Sequence, residues 1–344
     1  MIGIVAEYNP FHQGHRFHIE ESKRLIGNDE PVCAVMSGDF VQRGEIAIRD
    51  KFQRARLACE GGVDLVIELP LPWSLSSAEG FARGAVSILE RMRCEYLSFG
   101  SECGDIEALK SCAEHFNPEA IRGYLREHPN CTWPTARAAV EADPLLDEPN
   151  NLLAVEYLKS TNLPCITIKR MAPHDGPGSA KEIRESIGND FDEAVFLSRL
   201  QMFDREYFNS LPDAKDGSGD RLYHAVHSSR SLERIYAATK TKRYTMSHIR
   251  RLTMCAVLGV MDDFRGKEPP YARILAFNER GREVLKGKFE LPLLVRPKDV
   301  RKLDPFSQKV FALGASANDF YYLAKSGSMG PTCGFDYTKG PEIV

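Results

Sequence analysis

Short apolar segments alternate with amphipathic ones over the first 170 residues, and this alternation restricts the fold more than any other feature. Five apolar segments have the length of strands: 2–6, 32–36, 63–68, 96–100 and 165–169. Helical spacing of apolar residues occurs between them, at 16–25, 51–60, 76–91 and 106–116. Strands that alternate with helices are joined by crossovers, so they form a parallel sheet with helices on both faces. The sequence therefore predicts an α/β fold.

Beyond about residue 190 the pattern changes to helical runs. The polar stretch 213–220 is interpreted as a flexible connection, and 333–344 as a loose tail. The segment 271–278 is an exception, because it has the composition of a strand that enters a turn. We therefore expect a Rossmann-like domain over residues 1–190, followed by a mainly helical region over residues 191–344.

Composition excludes several classes of protein. With 344 residues, 43% of them hydrophobic, the chain can bury one large or two modest cores and is not disordered as a whole. No apolar run is long enough to span a membrane, and the N-terminus MIGIVAEYN lacks the features of a signal peptide. We therefore expect a cytoplasmic protein without membrane association. The nine cysteines form no C-x-x-C pair, which indicates reduced, mostly buried thiols.

The segment NPFHQGH at 9–15 follows the first predicted strand and opens a helix. Gly14 removes a side chain where a phosphate would approach the backbone, and the helix amides face that anion. His12 and His15 can donate to the phosphates of ATP and stabilise the charge that grows as pyrophosphate leaves. A structural turn with a core histidine is the alternative. A metal site that adds His18 is disfavoured by the glycine-containing context.

A second motif, GSAKEIR at 178–184, precedes a helical turn at the same edge of the predicted sheet. Ser179 would cap this helix, and Arg184 would bind the β and γ phosphates through its planar guanidinium. A solvated arginine is the alternative interpretation.

Together, these two motifs resemble those of the H-x-G-H nucleotidyltransferase superfamily, whose members make adenylated products with release of pyrophosphate. Within it, segments in order from residue 2 to about 282 are similar to the tRNA(Met) cytidine acetate ligase family. They read EYNPFHQGHRFH, MSGDFVQRGEIA, VDLVIELP, SSAEGFARGAV, FGSE, PNNLLAVEYLK, TIKR, SAKEIR, TKRYTMSHIRRL and ILAFNERGR. The resemblance implies that ATP and acetate form an acetyl-adenylate, and that the acetyl group passes to N4 of the wobble cytidine of elongator tRNA(Met). No acetyl-CoA is needed, and Mg²⁺ is expected to accompany ATP.

The resemblance also implies which residues contact the nucleotide. They are Val5, Ala6, Glu7, Tyr8, Asn9, Pro10, Phe11, His12, Gln13, Gly14, His15, Arg16, Phe17, His18, Gly100, Asn151, Arg170 and Met171. Gly100 would let a base or ribose approach the main chain, Asn151 would donate and accept, and Arg170 would add positive charge. Asn150 is an alternative to Asn151. A turn glycine, a helix cap and a solvated arginine are the structural alternatives.

The net charge of −3 gives no global argument for nucleic acid, but one segment is locally basic. Residues 239–251 contain no acidic residue and five basic ones, namely Lys240, Lys242, Arg243, Arg250 and Arg251. On a helix, Arg243, Arg250 and Arg251 would share a side, with Tyr244 nearby as a stacking ring. We interpret the segment as a contact surface for tRNA phosphates. A solvated basic helix is the alternative.

Loop 37–45 follows the second predicted strand and carries Asp39, Gln42 and Arg43. These residues are candidates for positioning acetate or accepting the proton of the cytidine amine, and an ordinary surface loop is an equal alternative.

Two other functions compete with the ligase. One is a nucleotidyltransferase that joins AMP to a small phosphorylated metabolite, which leaves the basic segment without a function. The other is a catalytically silent RNA-binding protein, which the presence of both histidines disfavours.

Overall fold

The computed structural model describes residues 1–141, 143–170, 191–214, 217–264 and 266–344. A central sheet has the strand order β10-β8-β5-β2-β1-β6-β7, with β9 beside β8. Its strands are β1 (Ile2–Ala6), β2 (Val32–Ser37), β5 (Leu65–Leu69), β6 (Tyr96–Ser101), β7 (Cys165–Lys169), β8 (Ala272–Phe277), β9 (Leu293–Leu294) and β10 (Glu342–Ile343). A separate antiparallel hairpin consists of β3 (Phe40–Val41) and β4 (Glu45–Ile46). The five strands predicted before residue 170 are present and pair in parallel, which confirms the α/β fold.

Helices connect and cover the strands. In the first part they are α1 (Gln13–Ile26), α2 (Lys51–Glu60), α3 (Leu71–Ser74), α4 (Ala78–Arg91), α5 (Ile106–Glu114), α6 (Pro118–Glu127), α7 (Trp133–Glu141) and α8 (Pro149–Ser160). In the second part they are α9 (Glu193–Leu200), α10 (Arg205–Asn209), α11 (Ser218–Ser228), α12 (Leu232–Thr239), α13 (Met246–Leu258), α14 (Glu279–Val284) and α15 (Pro305–Ser326). Short 3-10 helices lie at Pro144–Asp147, Asp262–Phe264, Pro297–Lys302, Gly327–Met329 and Phe335–Tyr337.

Strand β2 shows why the apolar segments need not alternate. All six of its residues are buried, because successive side chains point to opposite faces and both faces are covered. Cys33 and Val35 pack in a core with α4 and α8, whereas Ala34 and Met36 pack in a core with α1 and α2. A third core, formed mainly by the helices after residue 190, includes Phe40 of the β3-β4 hairpin.

The chain after residue 190 also contributes to the central sheet. The predicted strand 271–278 is present as β8, which pairs antiparallel to β5, while β9 and β10 pair in parallel with β8. The predicted domain boundary at residue 190 remains a prediction. The region that follows it supplies three strands to the same central sheet as the first region.

Two sequence expectations for this part are wrong. Residues 333–344 are not a loose tail, because β10 extends the sheet and the wholly buried Asp336 accepts hydrogen bonds from Lys51 Nζ and Arg273 Nη1, each at 2.6 Å. Nor is the whole of 213–220 a flexible connection, since Ser218 is fully buried at the start of α11. Both expectations fail for one reason. A polar composition predicts exposed residues, but these polar side chains are buried because they have hydrogen-bond partners elsewhere in the chain.

The expectation for the cysteines is confirmed. All nine are free thiols, and five of them, Cys33, Cys59, Cys94, Cys112 and Cys255, are buried.

Candidate active site

The H-x-G-H loop joins the carboxyl end of β1 to the start of α1. His12 is the N-cap residue of α1, and its Nδ1 accepts a hydrogen bond from the main-chain N–H of Gly14 at 3.0 Å. In return, Nδ1 of His15 accepts from the main-chain N–H of His12 at 3.2 Å. A Cβ atom at residue 14 would lie 2.9 Å from Cε1 of His12. Gly14 therefore makes room for the capping imidazole.

These hydrogen bonds determine which ring nitrogen of each imidazole carries the proton. An imidazole nitrogen that accepts a hydrogen bond carries no proton, so each neutral ring has its proton on Nε2. The rings of His12 and His15 stack with their centroids 3.8 Å apart. Tyr8, a buried residue with a φ of 45°, packs edge-on against His15 with a centroid distance of 4.9 Å. The loop thus holds two N–H donors in a fixed orientation at the positive end of α1.

His18 is fixed by a chain of hydroxyl groups one turn further along α1. Its Nε2 lies 2.9 Å from Oγ of Ser98 on β6, and that oxygen lies 2.6 Å from Oγ of Ser22. Ser22 Oγ in turn donates to the carbonyl oxygen of His18 at 2.6 Å. Because the Ser22 proton is used in this way, Ser98 donates to Ser22 and accepts from His18, which places the His18 proton on Nε2.

Burial keeps His15 and His18 neutral near pH 7. It is the largest cause that lowers the pKa of His15 well below its ordinary value, and His12, His18 and Arg170 add to the effect. Burial and the charge of Arg170 lower the pKa of His18 to about 4. Near pH 7, His15 and His18 are therefore hydrogen-bond donors without a charge.

The neighbouring strand ends bring the other predicted residues to the same edge. The chain runs from β1 outward to β2 and β5 on one side and to β6 and β7 on the other, so β1 and β6 flank the point where strand order reverses. Gly100 lies near the end of β6, and a Cβ there would be 3.4 Å from Cγ of Arg170. Arg170 is exposed, and its Nη1 donates to Oδ1 of Asn150 at 2.8 Å. Gly100, Asn150 and Arg170 thus form one group beside the H-x-G-H loop.

The two neighbouring asparagines have different surroundings. Asn151 is only 1% exposed, and its Oδ1 accepts from the main-chain N–H groups of Glu102 and Cys103 at 2.9 and 3.2 Å. The side chain of Asn150 instead bridges Glu102 and Arg170. Asn150 therefore fits the predicted role of nucleotide contact better than Asn151 does.

Glu102 was missed as a site residue, although it belongs to the FGSE segment. Its Oε2 accepts from the main-chain N–H of Asn151 at 2.8 Å, and its Oε1 accepts from the side chain of Asn150 at 2.5 Å. The carboxylate thereby caps the start of α8, where negative charge is favoured. The sequence signal that could have identified Glu102 is a carboxylate directly after a glycine-containing strand end.

Loop 37–45 is the β3-β4 hairpin, not an ordinary surface loop. Asp39 is buried, and its two carboxylate oxygens accept from Lys51 N and from Asn318 Nδ2, each at 2.8 Å. Its role as a contact of acetate or cytidine remains a prediction. Gln42 instead reaches the nucleotide loop, because its main-chain N–H donates to Oε1 of Glu7 at 2.8 Å. Burial raises the pKa of Glu7, against the hydrogen bond from Gln42 and the charges of Arg43 and Arg54.

The remaining residues assigned to the nucleotide are distributed along β1 and α1. Val5 and Ala6 are half-buried at the end of β1, Pro10 is buried, and Phe11 and Phe17 are half-buried. Gln13 and Arg16 are exposed on the first turn of α1. Asn9 Oδ1 accepts from the main-chain N–H of Ile48 at 2.9 Å. Met171 and Arg184, like the rest of 171–190, lie outside the described residues.

The basic segment is only partly helical. Helix α13 begins at Met246, so Arg243 precedes it, and the expectation that Arg243, Arg250 and Arg251 share one side of a helix is wrong. Lys240, Lys242 and Arg243 are exposed, whereas Arg250 forms an ion pair with Glu45 of the hairpin. The ring of buried Tyr244 stacks on that of His248, so the ring face that a base would need is already covered, and the expectation of an open stacking ring here is wrong.

Among the residues that the structure describes, no group of three or more His, Cys, Asp or Glu side chains is arranged to hold a metal ion. None of the described helices is long and apolar enough to cross a membrane.

Known proteins with similar sequences are nucleotidyl transferases and tRNA(Met) cytidine acetate ligases. A family model for HIGH nucleotidyl transferases matches residues 1–196 and 179–332. A tRNA(Met) cytidine acetate ligase of Caldicellulosiruptor saccharolyticus is 35% identical, with 89% of this chain and 88% of that protein covered. The tRNA(Met) cytidine acetate ligase of Acetivibrio thermocellus is 30% identical, with 100% of both chains covered.

Solved structures give the same result. The crystal structure of Thermotoga maritima TmcAL bound with alpha-thio ATP superposes with a TM-score of 0.88 at 29% identity, and the match covers 100% of this chain and 99% of that one. The apo crystal form of the same protein matches equally well. This chain therefore belongs to the tRNA(Met) cytidine acetate ligase family, within the HIGH nucleotidyl transferases.

Proposed function

We propose that the protein is an ATP-dependent ligase that activates acetate as acetyl-adenylate and acetylates N4 of the wobble cytidine of elongator tRNA(Met). The observation that carries the proposal is the pair of stacked imidazoles of His12 and His15, which present Nε2–H donors at the start of α1. Similarity over the full length of a tRNA(Met) cytidine acetate ligase supports the choice of substrates. The cytoplasm remains the expected location.

The first half-reaction joins acetate to AMP. A carboxylate oxygen of acetate attacks the α-phosphorus of ATP, and the bond from that phosphorus to the bridging oxygen of pyrophosphate breaks. Negative charge then grows on the leaving phosphates. We assign the stabilisation of this charge to the Nε2–H groups of His12 and His15, together with Arg170, because preorganised donors are most effective where charge develops. Arg184 is proposed to bind the same phosphates.

The second half-reaction transfers the acetyl group. The N4 amine of cytidine attacks the acetyl carbonyl, AMP leaves with the electron pair of the broken C–O bond, and the amine loses a proton. Glu7 is our candidate acceptor for that proton. Its Oε1 is occupied by the Gln42 N–H, its Oε2 makes no hydrogen bond to another described residue, and burial raises its pKa toward the working pH.

Mg²⁺ is proposed to enter with the nucleotide. The described part of the chain offers no ready-made group of ligands, and Mg²⁺ commonly binds substrate phosphates with one or two carboxylates and several waters. When bound, the ion would supply positive charge to the triphosphate.

Product analysis tests the proposal. The protein is incubated with ¹⁴C-acetate, ATP and elongator tRNA(Met), and the digested tRNA is separated by chromatography. We expect labelled N4-acetylcytidine, with AMP and pyrophosphate formed in equal amounts. Acetylated tRNA made from acetyl-CoA in the absence of ATP would contradict the proposal. AMP transfer to a phosphorylated metabolite, without any tRNA product, would favour the competing nucleotidyltransferase.

A further inference from the structure

A cleft of about 270 Å³ separates the start of α4 from α13. Its volume is several times the roughly 30 Å³ of one water molecule in the liquid, so it admits a ligand of appreciable size. Trp73, Leu252 and Phe264 contribute its apolar surface, and Arg83 of α4 and Arg251 of α13 line it from opposite sides. None of the assigned nucleotide residues that the structure describes lines this cleft, so it is a different site.

The two arginines are available to a ligand. Neither Arg83 nor Arg251 forms a hydrogen bond or an ion pair with another described residue. Arg83 is exposed, and burial lowers the pKa of Arg251, which indicates a guanidinium held partly out of water. Among the carboxylates that line the cleft, Asp213 acts on Arg251 electrostatically and raises its pKa against the effect of burial, and both Asp213 and Asp262 have further interactions. Two guanidinium groups that keep their hydrogen-bond donors free of other described residues, across an apolar floor, suit a phosphate attached to a flat ring.

The cleft lies between the nucleotide loop and the basic segment 239–251. Ser76 at its wall lies beyond the carboxyl end of β5, two strands from β1, and two strand spacings amount to about 10 Å. Gln42 links the two places, since its main-chain N–H donates to Glu7 and its side chain donates to the Ser76 carbonyl oxygen at 3.5 Å. On the other side, Arg251 is the last basic residue of segment 239–251. An RNA strand bound along that segment would reach the cleft.

We propose that this cleft binds one unstacked nucleotide of the RNA substrate, with its base on the apolar surface and its phosphate on Arg83 and Arg251. Single-stranded RNA is commonly bound in this way, by apolar or aromatic contact with splayed-out bases and by basic contacts to the backbone. Glu79, exposed at the mouth, can accept from the exocyclic amine of cytosine or adenine. The inference rests on the proposed tRNA ligase function and specifies how that RNA is held.

The first test uses Arg83, because its exposed side chain can be removed with little effect on folding. We expect Arg83→Ala to weaken binding of an anticodon stem-loop of tRNA(Met) about tenfold, the scale of one lost charged phosphate contact. ATP affinity and acetate-dependent pyrophosphate exchange should not change. Arg122→Ala, which removes an exposed arginine of α6 that does not line the cleft, is the matched control.

The second test observes the cleft directly. The chain has two tryptophans, and Trp133 is 40% exposed on α7, so Trp133→Phe leaves Trp73 in the cleft as the single tryptophan, which is excited at wavelengths that tyrosine does not absorb. We expect the stem-loop to change the Trp73 fluorescence, and Arg83→Ala in this background to shift the titration to higher RNA concentration. Inorganic phosphate and 5′-CMP at the same concentrations should have no effect.

Two outcomes would overturn the inference. One is an unchanged RNA affinity in Arg83→Ala together with an unresponsive Trp73. The other is an equal response to phosphate or 5′-CMP, which would make the cleft a site for free small anions. A wild-type protein without acetate-dependent pyrophosphate exchange would contradict the proposed ligase instead, and the RNA titration reads the cleft independently of that result.

Discussion

The imidazole rings of His12 and His15 stack at 3.8 Å between centroids, with an interplanar angle of 24°, and each Nδ1 accepts a main-chain N–H of the same loop. This reciprocal arrangement ties the orientation of the two proposed catalytic donors to the capping of α1. Replacing either imidazole therefore removes a donor and also a cap, so stability must be measured beside activity.

Removing His15 tests the role of this pair. We expect His15→Ala to slow acetate-dependent pyrophosphate exchange by about 10² or more, the scale for loss of one preorganised donor to developing charge. His224→Ala, on the exposed surface of α11, is the matched control and should keep full activity. Wild-type exchange in a folded His15→Ala protein would remove this residue from the mechanism.

His18 predicts a pH dependence of stability. Its pKa is about 4 in the folded protein and 6.5 when unperturbed, so the unfolded chain binds its proton first as the pH falls. The free energy of unfolding should therefore decrease between pH 6.5 and 4, by up to about 3 kcal/mol from this residue. No such contribution exists above pH 6.5.

Urea denaturation at pH 7 and pH 5 measures this effect in wild type and in His18→Gln. The variant should lose less stability on acidification than wild type does, whereas His227→Gln, on the exposed part of α11, should behave like wild type. An identical loss in His18→Gln and wild type would contradict the assignment.

The adjacent asparagines allow a paired test. Asn151→Ala leaves two main-chain N–H groups without their acceptor, which should cost about 2 to 4 kcal/mol of stability. Asn150→Ala should leave the melting temperature nearly unchanged and raise KM for ATP about tenfold, because its side chain orients Arg170. Thermal melts and ATP kinetics on both variants decide between them. The reverse pattern would restore Asn151 as the nucleotide contact.

The exposed basic residues before α13 test the RNA surface. We expect Lys242→Ala combined with Arg243→Ala to weaken tRNA binding and to reduce the slope of log K against log salt by about 0.7 to 0.9 for each lost phosphate contact. ATP affinity should stay the same. Binding is measured at several salt concentrations, alongside a thermal melt. A stable, ATP-competent variant with an unchanged slope would locate the tRNA surface elsewhere.

Local patterns in the sequence were sufficient for the nucleotide-binding half of the fold. Strand composition predicted β1, β2, β5, β6 and β7, and the parallel arrangement then brought Gly100 and Arg170 to the edge that holds the H-x-G-H loop. The prediction succeeded there because each strand end is followed directly by its loop.

Features that depend on distant partners were not predictable in this way. Arg250 pairs with Glu45 across 205 residues, and Asp336 bonds Lys51 across 285. A single sequence shows only that these side chains are charged, which describes solvated residues equally well. The capping of α8 by Glu102, 48 residues earlier, was hidden for the same reason.

Exchange of labelled pyrophosphate into ATP tests the central claim most directly, because it reports adenylate formation before any RNA is needed. We expect exchange by the wild-type protein that requires acetate, is independent of acetyl-CoA, and is lost in His15→Ala. Exchange that ignores acetate, or acetylation of tRNA without any exchange activity under the same conditions, would contradict it.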